Sequence, residues 1–173
     1  GLQQQINESI SLDVAIYNKT IRDLLSQEII NTSDKKVYAR YINRDYGNVR
    51  GIVASLDSRN NNNFSWGIDY SYQIAKGNAS DPNAIFVDFQ TTPPKESEKQ
   101  VVPLDWDQRH TLNGDITFGN LKDFSVSLIG RMSTGQPYTP TNPGSQLTTQ
   151  FENSDNKPMV YTVDLNTFKT INI

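Results

Sequence analysis

The chain has 173 residues, which is enough for one ordinary domain. Its formal net charge of −3 and its scattered basic residues argue against a nucleic-acid-binding protein, which normally presents a basic face. Cysteine is absent, so the sequence excludes disulfides and thiolate metal sites. No segment approaches the roughly 18 apolar residues of a membrane-spanning helix, so a helical span is also excluded.

The first predicted element is a β-strand over residues 5–19, where apolar and polar side chains alternate with a period of two. Its apolar face holds Ile6, Ile10, Leu12, Val14 and Ile16. Residues 20–36 include a run that could form a short helical turn before a polar loop, and they are predicted to be a long connection. A second strand is predicted over residues 37–57, with a bulge or bend near residues 45–48 because a glycine follows an aromatic residue there.

Four further strands are predicted along the rest of the chain. Residues 64–73 form a third strand whose apolar face is nearly all aromatic. After a long irregular region, residues 110–118 and 124–133 alternate on both sides of a minimal turn, which predicts an antiparallel hairpin. Residues 159–166 form the sixth strand, after another long loop.

The predicted connections alternate between long and short. The long ones cover residues 20–36, 75–108 and 134–158, whereas residues 58–63 and 120–123 form short turns. This alternation is typical of an up-and-down meander whose two ends face different compartments. The sequence therefore predicts an all-β, antiparallel up-and-down meander that is a segment of a transmembrane β-barrel, with Trp66, Tyr70, Leu112 and Val126 facing lipid.

Several segments resemble one known family. Residues 104–113 read Leu-Asp-Trp-Asp-Gln-Arg-His-Thr-Leu-Asn, and residues 129–140 read Ile-Gly-Arg-Met-Ser-Thr-Gly-Gln-Pro-Tyr-Thr-Pro. Both are similar to the late-barrel segment of TonB-dependent outer-membrane receptors. Residues 15–25 and 46–51 resemble strands of the same barrel, so the likeness extends over most of the chain.

The resemblance implies a barrel of about 22 strands that is filled by an N-terminal plug domain. Residues 1–173 would then form one partial β-barrel domain of about six strands, without the plug and the closing strands. The implied partners are outer-membrane lipid, the plug of the same chain, TonB through that plug, and a small-molecule or glycan ligand. The implied location is the outer membrane of a Gram-negative bacterium, with no cofactor.

Aromatic residues are the candidates for two kinds of contact. Tyr138, Phe86 and Phe89 lie on predicted outer loops, where they could bind a ligand or pack the loops together. Trp106, Tyr17 and Tyr38 lie near predicted strand ends and are expected to be interfacial aromatics. A third set is expected on the polar, inner side: Asp13, Asp69, Asn113, Asp115, Arg131 and Asp164. These could line a transport path or pair with neighbours, with Arg131 facing Asp115 across the hairpin.

Two chemical alternatives are weaker. The single histidine, His110, follows Asp105 and Asp107, and such a pair could act as a general base in an outer-membrane hydrolase. The simpler interpretation places His110 at the membrane interface, and no Gly-flanked serine nucleophile accompanies it. Loop oxygens of Asn78, Asp81, Asn83 and Asp88 could bind calcium, although their spacing lacks the EF-hand pattern.

The leading functional hypothesis is a non-enzymatic one: part of a TonB-dependent receptor that takes up a scarce nutrient such as an iron chelate, a cobalamin or an oligosaccharide. A soluble β-sheet domain with a binding or structural role is the alternative, and an outer-membrane hydrolase is a third. The two leading hypotheses differ in whether the apolar strand faces contact lipid or a second layer of protein.

Overall fold

The structure is a computed structural model, and it describes residues 1–34, 36–59, 63–78, 101–120, 123–140 and 152–171. The described residues contain ten β-strands. These are β1 (Leu2–Gln5), β2 (Ile10–Asn31), β3 (Val37–Ser58), β4 (Phe64–Gly77), β5 (Val102–Pro103), β6 (His110–Asn120), β7 (Phe124–Ser133), β8 (Pro137–Tyr138), β9 (Asp155–Asn156) and β10 (Val160–Lys169). The described part of the chain contains no helix with the length and hydropathy needed to cross a bilayer.

One curled antiparallel sheet contains most of these strands, in the order β1-β2-β3-β4-β6-β7-β10. Each strand pairs with the strands next to it in this order. The short strand β5 pairs with the upper end of β4. Strands β8 and β9 form a separate two-stranded sheet. The predicted all-β antiparallel meander is confirmed, and the six predicted strands correspond to β2, β3, β4, β6, β7 and β10.

The prediction that residues 20–36 form a long connection is wrong. Strand β2 continues to Asn31 and β3 begins at Val37, so the two strands stay paired along a long hairpin. The turn between them is short and is closed by the Thr32 N–H, which donates to the Lys36 carbonyl at 2.9 Å. The pattern misled because the ladder shifts register between Ile21 and Leu24, where Asp23 has a φ of 59°. Such a shift breaks the period-two alternation that marks a strand.

The first predicted strand also begins differently. The chain forms the short strand β1, turns at residues 6–9 and starts β2 at Ile10. The side chain of Asn7 accepts the backbone N–H groups of Ser9 and Ile10, which are the contacts of an Asx-type turn. Ile6 therefore lies in a turn and not on the apolar face of a strand. By contrast, the irregularity predicted near residues 45–48 is confirmed by the register shifts opposite Asp45.

Connections lie at two ends of the sheet, which we call the upper and lower ends. At the lower end, β1 is followed by β2, β3 by β4, and β6 by β7. The upper end has the connections from β4 to β6 and from β7 to β10, and the hairpin of β2 and β3 extends beyond it. The only cluster of buried apolar residues in the described ranges is small, comprising Val49, Ala75 and Leu104, with Tyr17 and Ile21 packed against it.

Candidate functional surfaces

The register of the sheet gathers apolar side chains on one side, which we call the apolar face. Residues directly opposite each other in a ladder point to the same side of a sheet. The rows across β2, β3, β4, β6, β7 and β10 align Leu12, Val14, Ile16, Ile52, Leu56, Trp66, Ile68, Tyr70, Leu112, Ile116, Phe118, Val126, Leu128, Met132, Tyr161, Val163 and Leu165. Ile16 is 76% exposed and Phe118 is 61% exposed. The apolar face is therefore open in the described structure.

Aromatic rings lie at both ends of the apolar face. At the lower end, Phe64 lies directly opposite Phe118, and Phe124 follows on the next strand. At the upper end, Tyr72 lies directly opposite His110, and their ring centroids are 5.1 Å apart. Two rows of aromatic side chains thus border the apolar face, and Trp66, Tyr70 and Tyr161 add further rings between them.

The opposite side of the sheet is polar and concave. It contains a groove of about 600 Å³ that is lined by residues of β4, β6, β7 and β10, among them Asp69, Asn113 and Asn166. Short hydrogen bonds cross this face, for example from the Ser55 hydroxyl to Asp69 at 2.5 Å and between Thr117 and Ser127 at 2.8 Å. We call this side the polar face. All six polar residues expected on the inner side lie on it.

The predicted pairing of Arg131 with Asp115 is wrong. Arg131 lies directly opposite Asn113, whereas Asp115 lies opposite Ile129. None of the three ion pairs within the described ranges involves Arg131. The predicted pair failed because alternation identifies the face of each residue but not its partner across the turn.

The segment of residues 104–109 turns against the polar face at the upper end. Leu104 is fully buried, and its side chain occupies the space above Gly77, where an added Cβ would lie 2.8 Å from Leu104 Cδ2. Asp107 is 1% exposed. Its Oδ1 accepts the Ala75 N–H at 2.8 Å, and its Oδ2 accepts Nε of Arg109 at 2.7 Å. We call residues 104–109 the corner.

The corner also holds the small sheet of β8 and β9. Asn153, which is 6% exposed and has a φ of 55°, donates from Nδ2 to the Pro103 carbonyl and to Oδ1 of Asp105, each at 2.8 Å. Its backbone N–H donates to the hydroxyl of Thr139 at 3.0 Å. The hydrogen bonds of Asn153 therefore connect the segment before β9 to the corner and to Thr139.

Two of the three predicted interfacial aromatics lie elsewhere. Tyr17 is on the polar face, above Gly51, and its hydroxyl donates to Oε1 of Gln73 at 3.3 Å. Tyr38 lies beside the turn of the long hairpin, roughly 45 Å along β3 from Ile52, which stands in the upper row beside Tyr72. These positions are evidence against an interfacial role for either residue. Trp106 lies in the corner at 40% exposure, and its interfacial role stays a prediction.

The loop aromatics can be placed only in part. Tyr138 lies in β8, and its hydroxyl donates to Oδ2 of Asp155 at 3.2 Å. This hydrogen bond and the negative charge of Asp155 raise the pKa of Tyr138 above its ordinary value of 10.0. Phe86 and Phe89 lie outside the described residues. Their predicted contact with a ligand stays a prediction, as does that of Tyr138.

The proposed histidine–carboxylate pair is not assembled. His110 Nδ1 lies 2.8 Å from the Tyr70 hydroxyl. Asp107 binds Arg109 and Ala75, and Asp105 binds Asn153. The contacts of His110 place it in the upper aromatic row.

Of the four predicted calcium ligands, only Asn78 lies within the described residues. Asn78 bonds to Asp45 and to the backbone N–H of Tyr46, whereas Asp81, Asn83 and Asp88 lie outside the described residues. Within the described ranges, no group of three or more acidic or histidine side chains is placed to hold a metal ion. In the structure, the side chain of Asn78 therefore links β4 to β3 through Asp45 and Tyr46.

An antiparallel meander with one open apolar face and one polar concave face defines the class of curled, barrel-type sheets. Among solved structures, the outer membrane transporter YddB from Escherichia coli is similar, with a TM-score of 0.63 and 16% sequence identity. The similarity covers 95% of this chain and 24% of that chain, so the chain spans about a quarter of the transporter's length. No family model and no curated protein matches the sequence. At this identity the similarity shows the fold.

Proposed function

We propose that the chain is a segment of the barrel of an outer-membrane transporter, and that its apolar face contacts lipid. The observation that carries the proposal is the alignment of large, exposed or half-exposed apolar side chains on one face of six strands. Exposed apolar patches of this extent are uncommon on proteins surrounded by water and mark a surface that another apolar phase covers.

The height of the apolar face suits a bilayer. From Phe64 to Tyr72, strand β4 extends for roughly 27 Å at about 3.3 Å per residue. A strand tilted by about 40° would therefore span roughly 20 Å of membrane, near the apolar band of about 25 Å in outer-membrane barrels. Rings at both borders, such as Phe118 and Tyr72, match the positions at which aromatic girdles meet headgroups.

The polar face supports a transport role. An outer-membrane barrel alternates apolar residues toward lipid with polar residues toward its interior. The groove of about 600 Å³, lined by carboxylate, amide and hydroxyl groups, lies on the side that would face that interior. The name of the similar solved structure, an outer membrane transporter, agrees with this role.

The finer proposal is a TonB-dependent receptor in the outer membrane of a Gram-negative bacterium. It rests on the likeness of residues 104–113 and 129–140 to that family. Its ligand would be a small nutrient such as an iron chelate, a cobalamin or an oligosaccharide. A plug domain of the same chain would fill the barrel and contact TonB. Uptake of the nutrient by cells that express the full-length protein should stop when TonB is deleted.

A pair of adjacent substitutions tests the membrane assignment in the full-length protein. Leu128 lies on the apolar face and Ser127 lies on the polar face of the same strand. Leu128→Arg should lower the stability in bilayers by about 1–3 kcal/mol, because it places a charge in lipid between the lower aromatic row and the middle of the apolar face. Ser127→Arg should have a much smaller effect, because its side chain faces the polar groove.

The measurements are reversible unfolding in vesicles and the yield of folded protein in the outer-membrane fraction. Equal stabilities for the two variants would contradict the membrane assignment. So would a monodisperse full-length protein in buffer without detergent, which would favour the soluble β-sheet domain.

A further inference from the structure

We propose that the upper border of the apolar face contains a binding site for the phosphate group of a membrane lipid, formed by Arg50 and Lys76. The inference rests on the proposed membrane location of this face. It identifies a specific lipid contact that transport through the barrel does not require.

Charge is segregated between the two faces of the sheet. In the ladders between the lower end and the register shift at Ile21 and Leu24, every carboxylate side chain lies on the polar face: Asp13, Asp57, Asp69, Asp115 and Asp164. The charged side chains on the apolar side of these stretches are all basic, namely Arg50, Lys76 and Lys169. Lys169 is at the lower end, so the two remaining cations share the upper border.

The register places Arg50 and Lys76 next to each other. Arg50 lies directly opposite Ile74 and Lys76 lies directly opposite Asn48, so the two cations are diagonal neighbours on β3 and β4. Diagonal neighbours have Cβ atoms about 7 Å apart, a separation at which two long side chains can contact one oxyanion. Both side chains are exposed. Among the ion pairs within the described ranges, none involves either residue.

The surroundings suit a lipid headgroup. Tyr72 is the other diagonal neighbour of Arg50 and belongs to the upper aromatic row with His110. Below that row the face is apolar and can contact acyl chains. Beside the cations, Asn48 donates to Asn18 at 2.9 Å, which adds neutral polar groups at the same level. Acyl chains below, aromatic rings at the border and two cations above follow the order of groups in a phospholipid.

Guanidinium and ammonium groups suit this ligand for different reasons. Arginine can donate two parallel hydrogen bonds to phosphate oxygens, whereas lysine contributes a compact point charge. The pair therefore favours a phosphorylated lipid over a neutral one with the same chains.

The test uses the full-length protein in a neutral detergent and three probes. These are dioctanoyl phosphatidic acid, dioctanoylglycerol with the same chains but no phosphate, and inorganic phosphate. Native mass spectrometry during titration gives the affinity of each probe. Arg50→Gln and Lys76→Gln are made singly and together, and electrophoretic migration with and without heating checks that each variant is folded.

A double variant on the polar face is the matched control. Arg131→Gln combined with Lys19→Gln removes the same two charge types from the opposite side of the sheet. We expect phosphatidic acid to bind about 5-fold more weakly for each cation removed from the upper border, and roughly 30-fold more weakly for both. The control variant should bind phosphatidic acid about as tightly as the unaltered protein does. The affinity for dioctanoylglycerol should be the same for all variants.

Three results would overturn the inference: equal binding of phosphatidic acid before and after the Arg50 and Lys76 changes, an equal loss in the control, or inorganic phosphate binding as tightly as the lipid. A failure here leaves the contrast between Leu128→Arg and Ser127→Arg intact. Failure of the proposed function would abolish that contrast instead.

Discussion

The carboxylate of Asp107 accepts a hydrogen bond from the backbone N–H of Ala75, with a distance of 2.8 Å. Strand β6 pairs with β4 only from Tyr72 downward, and β5 pairs with β4 at Lys76 and Gly77. Ala75 lies between these two pairings, where no backbone carbonyl of β5 or β6 reaches its N–H. The Asp107 carboxylate supplies the missing acceptor. Because Asp107 and Ala75 are buried, this N–H would otherwise lack a partner.

We expect Asp107→Ala to destabilise the corner by about 1–3 kcal/mol, because it leaves a buried N–H unsatisfied. Asp107→Asn retains an oxygen that can accept the Ala75 N–H and loses only the charge interaction with Arg109, so its effect should be smaller. Hydrogen exchange at the Ala75 amide of the full-length protein measures the difference. Identical exchange in the two variants would show that the hydrogen bond does not hold the corner.

We expect Asn153→Asp to release the segment around β9 from the corner. The substitution replaces a donor with a carboxylate that faces the Asp105 carboxylate and the Pro103 carbonyl. The expected result is faster proteolysis within residues 152–157, with unchanged stability of the main sheet. Asn156→Asp is the matched control, because the side chain of Asn156 is exposed in the same small sheet. Equal cleavage of the two variants would contradict the assignment of Asn153 as the tie.

We expect Gly51→Ala to lower the free energy of unfolding by about 1–3 kcal/mol through overpacking. A Cβ at Gly51 would lie 2.6 Å from the Tyr17 hydroxyl and would also collide with the Tyr72 carbonyl. At Gly114 the nearest atom is 3.7 Å away, so Gly114→Ala serves as a control with little expected effect. Denaturation of both variants in detergent measures the contrast. If Gly51→Ala is as stable as Gly114→Ala, Tyr17 does not pack over Gly51.

The hydrogen bond between Tyr138 and Asp155 predicts a pH dependence on the alkaline side. It raises the pKa of Tyr138, so the contact contributes fully below the ordinary pKa of about 10 and is lost as the pH rises through the raised value. The tyrosinate absorbance difference between the unaltered protein and Tyr138→Phe reports this titration. Asp155→Asn should shift the titration to lower pH. An unchanged titration would show that Asp155 does not stabilise the protonated phenol.

The sequence by itself determined that the chain contains six main strands and which side of each is apolar. Successive side chains of a strand point to opposite faces, as His110 and Thr111 do in β6 and Phe124 and Ser125 do in β7. This alternation is a local property of the backbone, so the sequence shows it directly. The all-β fold, the hairpin of β6 and β7, and the common face of Asp69, Asn113 and Arg131 all follow from this property.

Only the tertiary structure decided which rows meet and where alternation is interrupted. The bulge between Ile21 and Leu24 hides the continuation of β2, and the register pairs Arg131 with Asn113. Likewise, the fit of Tyr17 over Gly51 and the contact of Asp107 with Ala75 depend on strands that are distant in sequence. The physical reason is that register is set by bulges, turns and long-range packing, which no single strand's pattern contains.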